Sequence, residues 1–413
     1  MNKLSDDSER ALLLSPEPPY PLAGGGALRS ASVLHFLAER FHTDLISFAE
    51  EGAPDGRLEL PPGLVERAVT VRLPRHARGP WAKIGRNGAR LLRGRPPLVD
   101  RFSRQASLLA VEQAAADRSY DLAIVEHFWC ADYLPILRRS ARRIVLDLHN
   151  VESALHRACA RSEPFPQNLA HSIFERSSRS LEQKLLVQFD LVITASELDA
   201  ERVRAIAPGA HVAVYPNAVP LLPKPEPVEE NVIAFSGNLE YHPNVTAVKH
   251  FRQEIWPRIR ELDPELRWRL IGKNDSAVRP WTGGDPRIEL TGPVDDAVSE
   301  LARARFAVAP LLAGSGTRVK IMEAWAAGRA VLSTPIGAEG LPAVDGKNLI
   351  LAEGTAAWTE AARRLLNDSA LRARLGRAGR DAYETECCWP AAWRLLDATM
   401  EELLGARSAA RAT

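Results

Sequence analysis

Short apolar runs rich in Val, Ile, Leu and Phe recur along the whole chain, and longer stretches with apolar positions three and four residues apart separate them. The runs read as strands buried on both faces and the longer stretches as amphipathic crossover helices, so the alternation predicts an α/β chain with parallel sheets. Strands are expected at "RALLLS", "TDLISF", "AVTVRL", "DLAIVE", "RIVLDL", "DLVITA" and "HVAVYP", and again at "NVIAFSG", "RWRLIG", "RIELTG", "RFAVAP", "RAVLST" and "NLILAE". Between the two sets lies "PNAVPLLPKPEPVEEN", Pro216 to Asn231, whose prolines and charges suit an exposed linker. Two doubly wound domains follow from this, over 1–218 and 219–386, with a tail from 387 to 413. In that tail "CWPAAWRLLDATMEELL" places Trp389, Trp393 and Leu396 on one helical face, which is expected to pack back across the first domain.

Length supports the division, since 413 residues exceed the roughly 250–300 at which one core stops growing. A formal net charge of +1 argues against a dedicated nucleic-acid binder, which needs a basic excess to neutralise phosphates. The four cysteines, Cys130, Cys159, Cys387 and Cys388, fit neither a disulfide framework nor a zinc pattern, so a reducing cytoplasmic setting is expected. No run of about 18 apolar residues interrupts the chain, and the N-terminal segment does not read as an export signal.

In open α/β sheets ligands sit outside the carboxyl ends of the strands, so residues there carry the candidate chemistry. After the first strand, Gly24 and Gly25 precede a helical pattern. They allow a phosphate at a helix start, or form a surface loop. "DLAIVE" runs into Glu126 and His127, and "RIVLDL" into His149 and Asn150; the two histidines either face a shared cleft or are structural. After "RFAVAP" comes "GSGTRVKIMEAWAAG", Gly314 to Gly328, where a glycine loop, a helix start, Arg318 and Lys320 converge on the requirements of a diphosphate. Its spacing does not satisfy the P-loop. Glu323, alone in an apolar helical run, either accepts hydrogen bonds from ligand hydroxyls or pairs with Arg318 or Lys320.

The run "GSGTRVKIMEAWAAG" followed by "RAVLSTPIGAEGL" resembles the nucleotide-sugar site of GT-B glycosyltransferases of family four, and supporting matches follow in order along most of the chain: "YPLAGGGALRSASVLHFLAERF", "LVITASELDAERV", "YPNAV", "FSGNLEYHPN", "LIGKN" and "LTGPVDDAVSELARARFAVAP". The resemblance implies two Rossmann-like domains facing a cleft, and transfer of a sugar from a nucleotide sugar to a glycan or lipid-linked acceptor with retention of configuration, in polysaccharide or cell-envelope glycan synthesis. It implies that Glu323 holds the ribose, that Ser315, Gly316 and Thr317 lie in the loop approaching diphosphate and sugar, and that His127 contacts the donor sugar. Gly24, Gly25, Gly237 and Asn238 fall on the donor side, Val294 where the base packs, and His149 and Asn150 on the acceptor side.

Three positions depart from that pattern. Ser315 stands where the family has its first glutamate, and Asn238 and Asn244 stand where it has two phosphate-binding cations. Arg318 and Lys320 are therefore expected to neutralise the diphosphate, acting with His127 as the catalytic set. No D-x-D sequence occurs, and no metal or other cofactor is expected. From Arg72 to Arg95 the chain carries eight basic residues and no acidic one, which suits an anionic membrane surface on the inner face, a solvated loop or an acidic acceptor. Two rival readings of the same fold are a sugar-nucleotide epimerase and a nucleotide-sugar-binding subunit without turnover.

Overall fold

The computed structural model describes residues 9–22, 24–75, 88, 90, 95–162, 165, 167–313 and 318–405. Each of the apolar runs forms a strand. In the first half these are β1 (Arg10–Ser15), β2 (His42–Glu50), β3 (Arg67–Leu73), β4 (Tyr120–Glu126), β5 (Ala141–Leu148), β6 (Leu191–Thr194) and β7 (Val212–Val214). In the second they are β8 (Val232–Ser236), β9 (Arg267–Ile271), β10 (Ile288–Leu290), β11 (Phe306–Ala309), β12 (Ala330–Ser333) and β13 (Ile350–Leu351). Five helices matter below: α1 (Gly25–Ala38), α2 (Glu152–Ser162), α3 (Gln167–Leu185), α4 (Val319–Ala326) and α5 (Trp389–Gly405).

All strand pairs are parallel. The first sheet has the order β3-β2-β1-β4-β5-β6-β7 and the second β10-β9-β8-β11-β12-β13. Strand order reverses between β1 and β4 in one sheet and between β8 and β11 in the other. At such switch points the flanking crossovers leave in opposite directions and open a crevice at the strand ends.

The chain divides into two compact units, Met1–Pro216 with Trp393–Thr413, and Asn217–Ala392. Each has its own core, around Leu12, Val125, Leu146 and Tyr133 in the first and around Phe235, Trp256, Trp268 and Trp358 in the second. The sequence pattern set 387–413 apart, whereas residues from Trp393 onward group with the first unit. There Trp393 donates Nε1–H to Ser32 Oγ of α1 at 3.1 Å, and Arg40 forks onto Asp397 at 2.5 and 2.7 Å. Among the described residues no helix is long and apolar enough to cross a membrane.

Candidate functional site

In the second unit, α4 buries Ile321, Met322, Ala324, Trp325 and Ala326 and leaves Lys320 and Glu323 half-buried. Trp325 fixes the helix by donating Nε1–H to the Asn348 carbonyl at 3.0 Å. The helix stops at Gly328, whose φ of 65° closes the left-handed turn that a β-carbon disfavours. Glu323 points to the tip of β8, where Ser236 Oγ donates to its Oε2 at 3.0 Å. Burial pushes the Glu323 carboxyl above the usual range, with the Ser236 hydrogen bond and Lys320 opposing it and Asp296 adding to it. The Lys320 ammonium lies 5.4 Å from the centre of the Phe235 ring. Burial brings its pKa down to about 8, against the attraction of Glu323 and with the repulsion of Arg318. A half-buried carboxylate, a buried-stem cation and a helix start thus gather at the switch point of this sheet, and such a group can receive a polyhydroxylated anion.

Arg318, expected beside Lys320 on the diphosphate, makes contacts within the protein. It is 5% exposed, and it donates Nε–H to the Ile336 carbonyl at 3.1 Å and NH2 to Glu339 at 3.3 Å. Its guanidinium therefore holds the segment after β12. Ser315, Gly316 and Thr317 lie outside the described residues.

Gly237 and Gly272, each with φ of 146°, close the tips of β8 and β9 against one another, and a β-carbon on Gly272 would stand 1.9 Å from the Gly237 carbonyl oxygen. Buried Asn244 donates Nδ2–H to the Asn238 carbonyl at 2.8 Å, and Asn238 Oδ1 accepts from Glu240 N and Asn274 Nδ2. The two asparagines that replace the family's cations thus build this loop. Val294 is half-buried on the loop after β10.

In the first unit, His127 follows β4 at the switch point with φ of 60° and ψ of 141°, a backbone conformation that costs a side-chain-bearing residue about 1–3 kcal/mol. Its amide donates to the Asp147 carbonyl at 2.8 Å. The ring lies between Trp129 and His149, stacked on the indole with centroids 4.1 Å apart and tilted by 34° against the His149 ring at 3.7 Å. Burial, together with His149 and Arg29, holds the His127 pKa well below the usual range and keeps the ring neutral. Trp129 is oriented in turn by donating Nε1–H to Glu152 Oε1 at 2.8 Å. Burial pushes the Glu152 carboxyl up to about 7, the Trp129 bond opposing and nearby Glu182 assisting.

Glu126 and Asp147 are register partners on β4 and β5 and are fully buried. Asp147 is neutralised by Arg29 of α1, whose Nε reaches its two oxygens at 3.0 and 2.9 Å, and whose NH1 donates to the Tyr215 carbonyl at 2.7 Å. His149 Nε2 stands 3.7 Å from Glu126 Oε1 and 3.7 Å from Asp147 Oδ2. Glu126, Asp147 and His149 are the described residues whose spacing could hold a metal ion, with ligand atoms within 4.8 Å of one another, but Arg29 already supplies a cation there. Asn150 follows half-buried, and Gly24 and Gly25 are exposed at the start of α1, with open space around both.

The structure thus brings His127 and His149 together in one unit and Lys320 and Glu323 together in the other. Sequence reasoning did not find Arg29, Glu152 or Ser236. Arg29 carries a signal, being a lone cation inside the apolar run "ALRSASVLHFL". In the basic segment most residues lie outside the described ones, and Arg72, Arg75, Arg90 and Arg95 each bond within the protein, to the Ala53 and Glu51 carbonyls, Asp100 and Asp132.

Residues 230–368 match the family model of the glycosyl transferases group 1. No match was found among curated proteins. Among solved structures the whole chain is similar to the sucrose-phosphate synthase of Thermosynechococcus elongatus, with TM-score 0.68 and 17% identity over 96% of this chain and 100% of that one. It is similar to Anabaena HepE in complex with UDP and glucose, with TM-score 0.65 and 15% identity over 95% of this chain and 100% of that one. A variant of S. aureus TarM in complex with fondaparinux, α-GlcNAc-glycerol and UDP gives TM-score 0.63 and 12% identity over 96% and 99%. The chain therefore has the GT-B fold, and within its second unit residues 230–368 match the glycosyl transferases group 1 model.

Proposed function

We propose that the protein transfers a sugar from a nucleotide sugar to a glycan or lipid-linked acceptor, with retention of configuration and without a metal. The observation that carries this is the placement of Glu323, held by Ser236 across the β8/β11 switch point beside Lys320, inside the domain that matches the family. In this reading Glu323 takes the ribose hydroxyls, and Lys320 with the start of α4 takes the diphosphate. Arg318 acts behind them by holding the 336–339 segment. Charge developing on the leaving diphosphate then meets groups already in place, and preorganised electrostatics of this kind usually lower a barrier more than any other single effect. The neighbours crystallised with UDP, glucose and α-GlcNAc-glycerol support both the donor and the glycan acceptor. His127 contacts the donor sugar, and His149 and Asn150 take the acceptor side.

A panel of nucleotide sugars, scored for nucleotide release with and without oligosaccharide and lipid-linked acceptors, tests the proposal. Release that depends on an acceptor is expected. Binding of a donor without release under any acceptor would favour a non-catalytic nucleotide-sugar-binding subunit, a reading kept open by Ser315 in place of the family's glutamate.

A further inference from the structure

Glu126 is fully buried at the tip of β4, and among the described residues neither of its carboxylate oxygens has a hydrogen-bond partner. His149 Nε2 is buried and unpartnered too, and stands 3.7 Å from Glu126 Oε1. Buried polar atoms without partners are costly, and a shift of a few tenths of an ångström would join Glu126 Oε1 to His149 Nε2. Asp147 Oδ2 is equally 3.7 Å from His149 Nε2, but both Asp147 oxygens already accept from Arg29, which leaves Glu126 as the carboxylate that gains most from the N–H. A divalent ion fits poorly beside that guanidinium, whereas an N–H on His149 Nε2 satisfies the imidazole and one Glu126 oxygen together. An imidazole whose one nitrogen is committed to a carboxylate presents the other as an acceptor, and the hydrogen bond decides which nitrogen that is.

We propose that Glu126 is a positioning residue that fixes His149 in its Nε2–H tautomer, leaving Nδ1 to accept a hydrogen bond from a hydroxyl of the incoming acceptor. His127 packs against the same ring at 3.7 Å with a 34° tilt and limits its movement, and Trp129 stacks on the far side of His127 at 4.1 Å. The charged groups facing His149 are then Glu126 from β4 and Asp147 from β5, with Arg29 from α1 balancing one of them. The hydrogen bond stands independently of the transferase reading; only its use toward an acceptor rests on it.

The test is long-range ¹H–¹⁵N spectroscopy of histidine-labelled protein at neutral pH, with the His149 resonances assigned by His149→Gln. Expected is a single species protonated on Nε2 and not on Nδ1, replaced by a tautomer mixture in Glu126→Leu. A wild-type His149 carrying a proton on Nδ1, whether neutral or charged, overturns the proposal even when the leucine variant does not fold. Stoichiometric metal by elemental analysis, with His149 resonances that move on chelation, overturns it as well by showing a cation site. Once a donor and acceptor are in hand, Glu126→Gln should lower kcat by tenfold or more with donor KM unchanged; an unchanged kcat rejects the role in transfer and leaves the spectroscopic result to stand.

Discussion

Arg29 and Asp147 offer the largest single perturbation in the first unit. Their side chains are 1% and 0% exposed, and three contacts between 2.5 and 3.0 Å join them. Arg29→Met would leave Asp147 buried beside Glu126, its register partner, with no cation, and would also release the Tyr215 carbonyl and the guanidinium–ring contact at 4.8 Å. Breaking a buried pair from one side costs about 3–5 kcal/mol. For a unit of this size each kcal/mol moves the midpoint by about 2–4 °C, so its transition should fall by roughly 6–20 °C in scanning calorimetry. Asp147→Leu should cost a similar amount by stranding the guanidinium. The double variant should lose clearly less than the sum of the two, since the cost lies in the uncompensated charge. Single variants within about 1 kcal/mol of the wild type, or losses that simply add, would refute the reasoning.

Two further outcomes follow from the buried ionisable groups. Lys320, with its pKa brought down to about 8, should lose its charge as pH rises through that value, so nucleoside diphosphate affinity should fall between about pH 7 and 9; Lys320→Arg should flatten the profile, and a wild-type profile without a step near pH 8 contradicts the assignment. Its contribution to stability runs the other way, because the folded state gives up the proton first and gains as pH climbs from about 8 toward the ordinary lysine range. Glu152 has a folded-state pKa of about 7, above its unfolded value, so its ionisation is penalised and stability falls as pH rises through the acid range to about 7. Glu152→Gln should therefore stabilise the protein at pH 8 by about 1–3 kcal/mol and by nothing near pH 4, as read by urea melts at the two values; a gain that does not depend on pH rejects this.

The strands were legible because parallel strands covered on both faces must be continuously apolar, a pattern that hardly depends on tertiary context. Glu323 and His127 were legible because strand ends and the run after β11 are fixed by topology. Partners were not. Arg29 and Asp147 are 118 residues apart, and only the order β1-β4-β5 with α1 packed beside it brings them together. Arg318 reads as a ligand cation because its neighbours in sequence are a glycine loop and Lys320, and its contacts with Ile336 and Glu339 after β12, the strand paired with β11, were not legible. Asn244 read as a lost cation, and in the fold it is the buried tie under Asn238. A substitution relative to a family pattern shows what is missing, and the replacement's own job appears only in three dimensions.

Glu323 is proposed to receive the ribose of a nucleotide. Titration calorimetry with uridine and guanosine diphosphates and their 2′,3′-dideoxy counterparts, on the wild type and on Glu323→Ala, tests it directly. A hydrogen bond to a charged group contributes about 1.5–3 kcal/mol, so the wild type should bind its preferred ribonucleotide roughly 10–150 times more tightly than the dideoxy form. Glu323→Ala should bind both alike. Equal affinities in the wild type, or a preference for ribose that survives in the variant, would contradict the account.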